Sequence, residues 1–425
     1  MKRGDFYDKK DGVRSMSDVM VLGAGMVGVS TALALQAAGK SVVIVDRKGP
    51  GLETSYGNAG VIQAEAVEPY ALPLDPVALV KIAFKLRNDI NYHFTALPSH
   101  VRPVWEYFLA SLPGRYKEIS KTYSKLALRS TADHAPLIAA AGADNLIRRG
   151  GLRFVFRTQE ALDKAAKDAE RIHEAYGPPM KIVDGAELAA AEPSIKIPLK
   201  GAVHWTGSWS CMDPGGLTEA YANLFVSRGG TIVNGDAETL TRAENGWTVK
   251  GPDGPVTAAD VVVALGPWSP LLLKKFGYDI PLLRKRGYHR HFAGGATLNA
   301  PVFDSENATV ISPMIKGIRV LTGAELARFG AMPTPVQLDH SSEAAGELLD
   351  LGKPVEAEPW FGNRPCMPDM LPLVGKAPRH DGLWFHFGHG HQGFTLGPTT
   401  SALLAEEMTG GTTPVPELSP SRLKI

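Results

Sequence analysis

Cysteine is almost missing from this 425-residue chain, with only Cys211 and Cys366 present. Two thiols cannot build a disulfide framework, and such usage fits a reducing compartment. Surplus charge is missing as well: 45 basic residues face 44 acidic ones. Nothing therefore points to nucleic acid or an anionic membrane as a partner. There is no internal repeat and no low-complexity tract. Only residues 19–39 form a nearly charge-free run as long as a membrane span. The first fifteen residues, MKRGDFYDKKDGVRS, lack the apolar core of a signal peptide. They read as a disordered leader, with Met16 as a candidate natural start. Glycine and proline, in contrast, are plentiful at 45 and 32, so long shaped loops are expected. The length suits two intimately joined domains.

What is there begins with VLGAGMVG, whose glycines stand at 23, 25 and 28. Before it, DVMVL reads as a short buried strand. After it, VSTALALQAAG reads as a helix stopped by Gly39, and SVVIVDR as a second strand ending at Asp46. Strand, glycine turn, helix, strand and terminal acid make a dinucleotide-binding βαβ unit. Gly23 permits the tight turn, Gly25 lets the backbone approach a pyrophosphate, and Gly28 lets helix and strand pack closely. The helix N-terminus offers free N–H groups and positive dipole to the phosphates. Asp46 can accept from ribose hydroxyls. Glycines at phosphate-loop spacing after a strand argue against membrane insertion of 19–39.

Beyond Asp46 the chain does not add the further βα units of a simple nicotinamide-binding domain. A loop of small polar residues, GLETSYGNAGVI (51–62), leads into a helical region at about 70–148. GLRFVFRT and GAVHW read as strands, and TQEALDKAAKDAERIHEAYG as an amphipathic helix stopped by Gly177. Asp213 caps a helix. Residues 231–266 read as a meander turning at ENG and PDG, a hairpin turns about Lys316-Gly317, and a helix covers about 339–351. The buried strand GLWFHF then precedes a second GxGxxG, at Gly388, Gly390 and Gly393, and a helix from about Pro398. This turn lacks the strand and acid of a second dinucleotide site, but a helix N-terminus can face one electron-rich atom. A flavin has such an atom, so two glycine turns from distant parts of the chain suit FAD better than NAD.

In this order, VLGAGMVGVSTALALQAAG…VVIVDR, ETSYGNAGVI, ADVVVALGPWS, RKRGYH, NRPCMPDMLPLVG and GHGHQGFTLGPTTSALLAE resemble the FAD-dependent amino-acid oxidoreductases related to D-amino-acid oxidase and glycine oxidase. The similarity is strongest to their bacterial D-amino-acid dehydrogenase branch and spans about residues 18–410. It implies an α/β fold: a Rossmann-like FAD-binding domain of the glutathione-reductase type, interleaved with an α+β substrate domain on an antiparallel sheet. The expected boundaries are 16–65, 200–275 and 360–425 for the former and 66–199 and 276–359 for the latter. The resemblance places Asp46 and Arg47 at the end of the second strand. It sets Thr54 and Ser55 beside the pyrophosphate, and Asn58, Ala59, Gly60 and Val61 along the flavin. Ala237 falls at the adenine and Gly266 near the cofactor. The segment Gly390, His391, Gln392, Gly393, Phe394 and Thr395 would meet the isoalloxazine. FAD is expected to be held non-covalently; Cys366 follows Arg-Pro directly, unlike the attachment cysteines of some related amine oxidases.

The implied activity is oxidative deamination of a D-amino acid, by hydride transfer from Cα to flavin N5. Cyclic substrates such as D-proline or hydroxy-D-proline fall within the class, and electrons would pass to a quinone or another carrier. Alternatives are a glycine- or sarcosine-type oxidase using oxygen and the FAD-bearing subunit of a heteromeric dehydrogenase. Such chemistry needs a carboxylate clamp, which a planar guanidinium supplies better than a lysine. Arg364, held among prolines, is the expected clamp. Tyr288 is a second candidate, as a hydroxyl donor to the carboxylate or a wall above the ring. His391 is a flavin-edge or pocket residue, and no metal is expected from His386, His389 and His391. Trp268 and Cys366 are expected to pack. Met367, where relatives carry a threonine-like residue, is expected to line the flavin or pocket. The helical segment 70–130 is a candidate for peripheral membrane contact from the cytoplasm, with oligomeric state left open.

Overall fold

The βαβ unit forms where the glycine spacing places it, as strand Ser17–Leu22, helix Met26–Ala37 and strand Val42–Asp46. The computed structural model describes residues 16–84, 88 and 90–423; the expected leader, 1–15, lies outside them. Strand Ser17–Leu22 pairs in parallel with Val42–Asp46 (Val21↔Ile44) and with Gly254–Val263 (Val21↔Val262). Thr231–Asn234 extends one edge and Leu383–Phe387 the other, both parallel. Val19–Leu22 are all buried, as expected of a strand covered on both faces, which reads as a continuous apolar run rather than an alternation. One face packs Val29, Leu33, Tyr221, Phe225 and Leu404, from helices Met26–Ala37, Pro214–Ser227 and Gly393–Met408. The other packs Trp247, Val249, Tyr278 and Phe385, beside a meander formed by Asp236–Ala243, Gly246–Gly251 and Gly254–Val263.

A second, largely antiparallel sheet is built around the long strand Leu283–Gly294. That strand pairs with Gly317–Leu321, Ala324–Leu326, Gly352–Pro354 and Trp360–Cys366. Two segments cross the sequence-based domain boundaries. Gly201–Trp205 joins Leu152–Phe156 and Met180–Asp184 in this second sheet. Trp360–Cys366 also lies here rather than with the nucleotide-type sheet. Strand membership depends on partners far away in sequence, which local patterning does not specify. The region 70–148 is helical as expected over Pro76–Ala83, Leu97–Ala110 and Pro113–Ala140, but also contributes strand Ile90–Tyr92. The helix expected at 339–351 runs from Val336 to Leu348.

The last long helix, Gly393–Met408, starts five residues before Pro398, which sits inside it. A proline there has no N–H for the carbonyl four residues back, that of Phe394. His134 replaces the missing donor: its Nε2 bonds the Phe394 carbonyl at 2.9 Å, while Nδ1 bonds the Tyr221 hydroxyl at 2.8 Å. Burial holds the His134 ring down at about 4, so it is neutral. A helix that reads as starting at its proline therefore begins a full turn earlier, and its N-terminus reaches the cavity described next.

Candidate active site

A cavity of about 720 Å³ is lined by residues of both sheets. At one end lie Gly23, Gly25, Asp46, Arg47, Thr54, Ser55, Ala237 and Gly266; at the other Asn58, Ala59, Val61, Gly390, His391, Gly393, Phe394, Tyr288 and Arg364. Gly28, Gly60, Gln392 and Thr395 stand behind this wall. The glycines of the first turn divide their work. Gly23 has φ +108°, and a Cβ there would meet the Ala264 carbonyl oxygen at 2.6 Å. At Gly28 a Cβ would lie 2.0 Å from the Gly23 carbonyl oxygen. Gly25, in contrast, opens on the cavity, with only the Ser55 hydroxyl near its notional Cβ, at 3.2 Å. Two glycines shape the turn, and the middle one bares it.

This end has the donors and acceptors of a dinucleotide site. Helix Met26–Ala37 carries no side-chain cap; Ser55 Oγ instead accepts from the Met26 N–H at 2.9 Å. The Thr54 hydroxyl is buried and has no partner among the described residues, the condition of a donor whose acceptor arrives with a ligand. Asp46 Oδ2 accepts from Ala24 N–H, and Oδ1 from Lys48 and Gly49 N–H, each at 2.8 Å. Oδ2 keeps a lone pair for a ribose hydroxyl. Arg47 pairs with Glu53 and stacks on Trp268, 4.6 Å from its ring centroid. Trp268 is therefore a cavity wall as well as packing.

The far end is set by the loops 56–63 and 388–395. Asn58 Oδ1 accepts from Gly60 N–H at 2.8 Å, and Arg319 donates to the Tyr56 and Asn58 carbonyls at 2.9 and 2.5 Å. Thr395 Oγ1 donates to the Val61 carbonyl at 3.2 Å, joining the two loops. Gln392 Nε2 bonds Gln63 Oε1 and His391 Nε2, at 2.8 and 3.0 Å. Burial, reinforced by Arg364 and Lys285, holds His391 down at about 3, so the ring is neutral. His386 bonds Thr31 and Thr400, and His389 also bonds Thr400, so both rings brace helices.

Arg364 lines the cavity. Its Nη1 donates to the Gly323 carbonyl at 2.7 Å and Nη2 to the Thr322 carbonyl at 3.1 Å. Among the described residues it has no carboxylate partner; burial pulls its guanidinium below the ordinary arginine value, with only Cys366 and Tyr70 opposing. Tyr288 differs from the expected hydroxyl donor. Only 1 % exposed, its hydroxyl donates to Glu325 Oε2 at 2.6 Å and accepts from Thr334 N–H at 2.8 Å. The cause is strand alternation: Lys285, not Tyr288, stands opposite Arg364 and shares its face. Lys285 is thus a cavity residue that the sequence reading missed, together with Tyr70 and Tyr107. Period-two alternation within RKRGYH was the available signal. Cys366, half-buried, borders the cavity rather than only packing, and Met367 lines it as expected.

Compared with known proteins, the family model described as FAD dependent oxidoreductase matches residues 18–407. The chain belongs to that family. It is similar to a D-amino acid dehydrogenase of Cereibacter sphaeroides, 30% identical over 96% of this chain and 94% of that protein. One from Granulibacter bethesdensis is 29% identical, over 92% and 96%. In fold it is similar to glycine oxidase from Geobacillus kaustophilus, with TM-score 0.70 and 22% identity over 96% and 100% of the two chains. L-amino acid deaminase from Proteus vulgaris gives TM-score 0.72 at 19% identity, over 98% and 100%. The protein is thus an FAD-dependent oxidoreductase, and its residues fit that cofactor: a Thr54 hydroxyl unpartnered among the described residues, a bared Gly25 and the Asp46 carboxylate at one end, and an uncapped helix N-terminus at Gly393 at the other.

Proposed function

We propose that this FAD-dependent oxidoreductase is a dehydrogenase of D-amino acids, with Arg364 as the carboxylate clamp. The observation that carries the reading is the guanidinium of Arg364: a cavity-lining cation with no carboxylate partner among the described residues. Its two carbonyl bonds leave three N–H groups, enough for a bidentate grip on an α-carboxylate. Those two bonds also hold the fork in place before substrate arrives, which lowers the entropic cost of orientation. FAD, when bound, supplies the two-electron acceptor. The chain's own task is to fix the substrate by its carboxylate and keep Cα facing the ring. Neutral His391 adds no charge to compete with Arg364 for the anion. The D configuration rests on the D-amino acid dehydrogenases at about 30% identity.

Electrons pass onward to a quinone or a similar apolar carrier rather than to oxygen. Large apolar side chains stand exposed along residues 77–105 and 329–336, among them Phe84, Phe94, Trp105 and Met332. They offer a surface for a hydrophobic acceptor or for the cytoplasmic face of a membrane. Among the described residues no helix is long and apolar enough to cross one. FAD is held without a covalent bond, so acid precipitation should release all the yellow colour; colour retained in the pellet would implicate Cys366. The decisive experiment is anaerobic mixing of the yellow protein with D- and L-amino acids. Bleaching by D-amino acids is expected, followed by reoxidation with a quinone and little peroxide in air. Failure of every amino acid to bleach the protein overturns the proposal.

A further inference from the structure

Lys285 and Arg364 stand directly opposite each other in the antiparallel pair of Leu283–Gly294 with Trp360–Cys366. Side chains so placed leave the same face of the sheet, where like charges repel. Both residues line the cavity, and from there they diverge. Arg364 lies across Gly287, where a Cβ would be 2.6 Å from Nη2. Lys285 turns to Tyr107, its Nζ 4.4 Å from the ring centroid. That aromatic face steadies the ammonium without adding net charge. Burial pushes up both the Tyr107 phenol and the Cys366 thiol, so neither is anionic at neutral pH. Among the described residues neither cation forms an ion pair with a carboxylate. The surrounding sheet is not short of acids. Arg153 meets Glu192, Arg157 meets Asp304 and Arg286 meets Glu325, at 2.5, 2.8 and 3.1 Å.

We propose that the substrate is a dicarboxylic amino acid, its α-carboxylate on Arg364 and its second carboxylate on Lys285. This rests on the amino-acid reading above and narrows it. An amino acid with a neutral amine brings one negative charge and leaves the other cation unbalanced in a filled, water-poor cavity, which is costly. A second carboxylate cancels it. Cyclic imino acids such as proline leave Lys285 unmatched.

The test is anaerobic bleaching of the holoenzyme by D-glutamate and D-aspartate against D-glutamine and D-asparagine, within a wider D-amino-acid panel. For at least one pair, kcat/KM for the acid should exceed that for the amide by about tenfold or more. Lys285→Met should lower that ratio by about tenfold. Equilibrium titration with inert malonate and acetate, followed by the flavin spectrum, reads the same preference without turnover and needs only the native protein. Tighter binding of malonate is expected there, which keeps the proposal testable if Lys285→Met does not fold. Neutral amino acids bleaching as fast as the acids, acetate binding as tightly as malonate, or an unchanged ratio in the variant would overturn the dicarboxylate assignment. In each of those cases the amino-acid reading stands. No bleaching by any amino acid overturns both.

Discussion

Arg286 and Arg364 lie on neighbouring strands of one sheet and point to opposite faces, since Arg364 shares its face with Lys285. Arg286 has its charge met inside the chain: Glu325 takes one N–H at 3.1 Å, the Met332 and Ala331 carbonyls take others at 3.1 and 2.8 Å, and only Nε is left without a partner among the described residues. Glu325 also receives the Tyr288 hydroxyl and approaches His93. Arg364 meets two carbonyls and, among the described residues, no carboxylate. A buried cation whose charge is met by a carboxylate within the chain holds the fold in one arrangement. One left short of an anion at a cavity wall is, in the function proposed above, a recognition element whose cost is offset when the ligand arrives. One pair of strands thus turns the two arginines to opposite faces of the sheet.

The comparison breaks most sharply at Arg364. Arg364→Ala should still bind FAD, yet lose substrate reduction on the order of 10³-fold, because truncating one partner of a buried charge pair costs about 3–5 kcal/mol; stopped-flow bleaching reads it, and unchanged rates would remove Arg364 from the site. The mirror experiment is Glu325→Ala. It strands Arg286 and Tyr288 together, so about 3–5 kcal/mol of folding stability should go, seen as a lower denaturation midpoint. A variant as stable as the native protein would show that this network does not hold the sheet.

Proton linkage sharpens the contrast less dramatically. His134 is held at about 4, and His389 and His391 at about 3, in each case first by burial. Their folded values lie below the ordinary 6.5, so between those limits the unfolded chain binds more protons. Stability contributed by the neutral rings is complete above about pH 6.5 and is lost as pH falls towards 3–4. Denaturation midpoints should therefore drop over that window, whereas substrate reduction between pH 7 and 8 should show no titration of His391. A smaller effect is expected at the nucleotide end. Thr54→Val removes a hydroxyl that has no partner among the described residues, so FAD affinity should weaken by about tenfold with stability of the FAD-free protein nearly unchanged. Equal FAD affinity would exclude Thr54 from the phosphate contacts.

Features set by short-range spacing were legible. Glycines 23, 25 and 28 between two apolar strands define the βαβ unit, and Gly28 lies so close to the Gly23 carbonyl that no side chain fits. The loop at 388–393 was readable for the same reason. Where distant segments decide, patterning was insufficient. Gly201–Trp205 looks the same in either sheet until its partners Phe154 and Ile182 are known. The start of the last helix depends on His134, a residue 260 positions from the carbonyl it serves. Lys285 was hidden in RKR, a charge run that reads as a solvated face. Its pairing with Arg364 puts it on the cavity face, and the same alternation turns the Tyr288 hydroxyl to Glu325 and Thr334.

Gly23 and Gly25 border the same cavity as Gly388, Gly390 and Gly393, although hundreds of residues separate the two loops. A chain emerging from the ribosome can therefore assemble its first phosphate-binding turn early, yet it has no cleft for the flavin ring until the distant loop has been made. With the flavin seated between the two loops as proposed, capture of the cofactor is expected late in biogenesis, and a product truncated ahead of residue 388 is expected to be colourless.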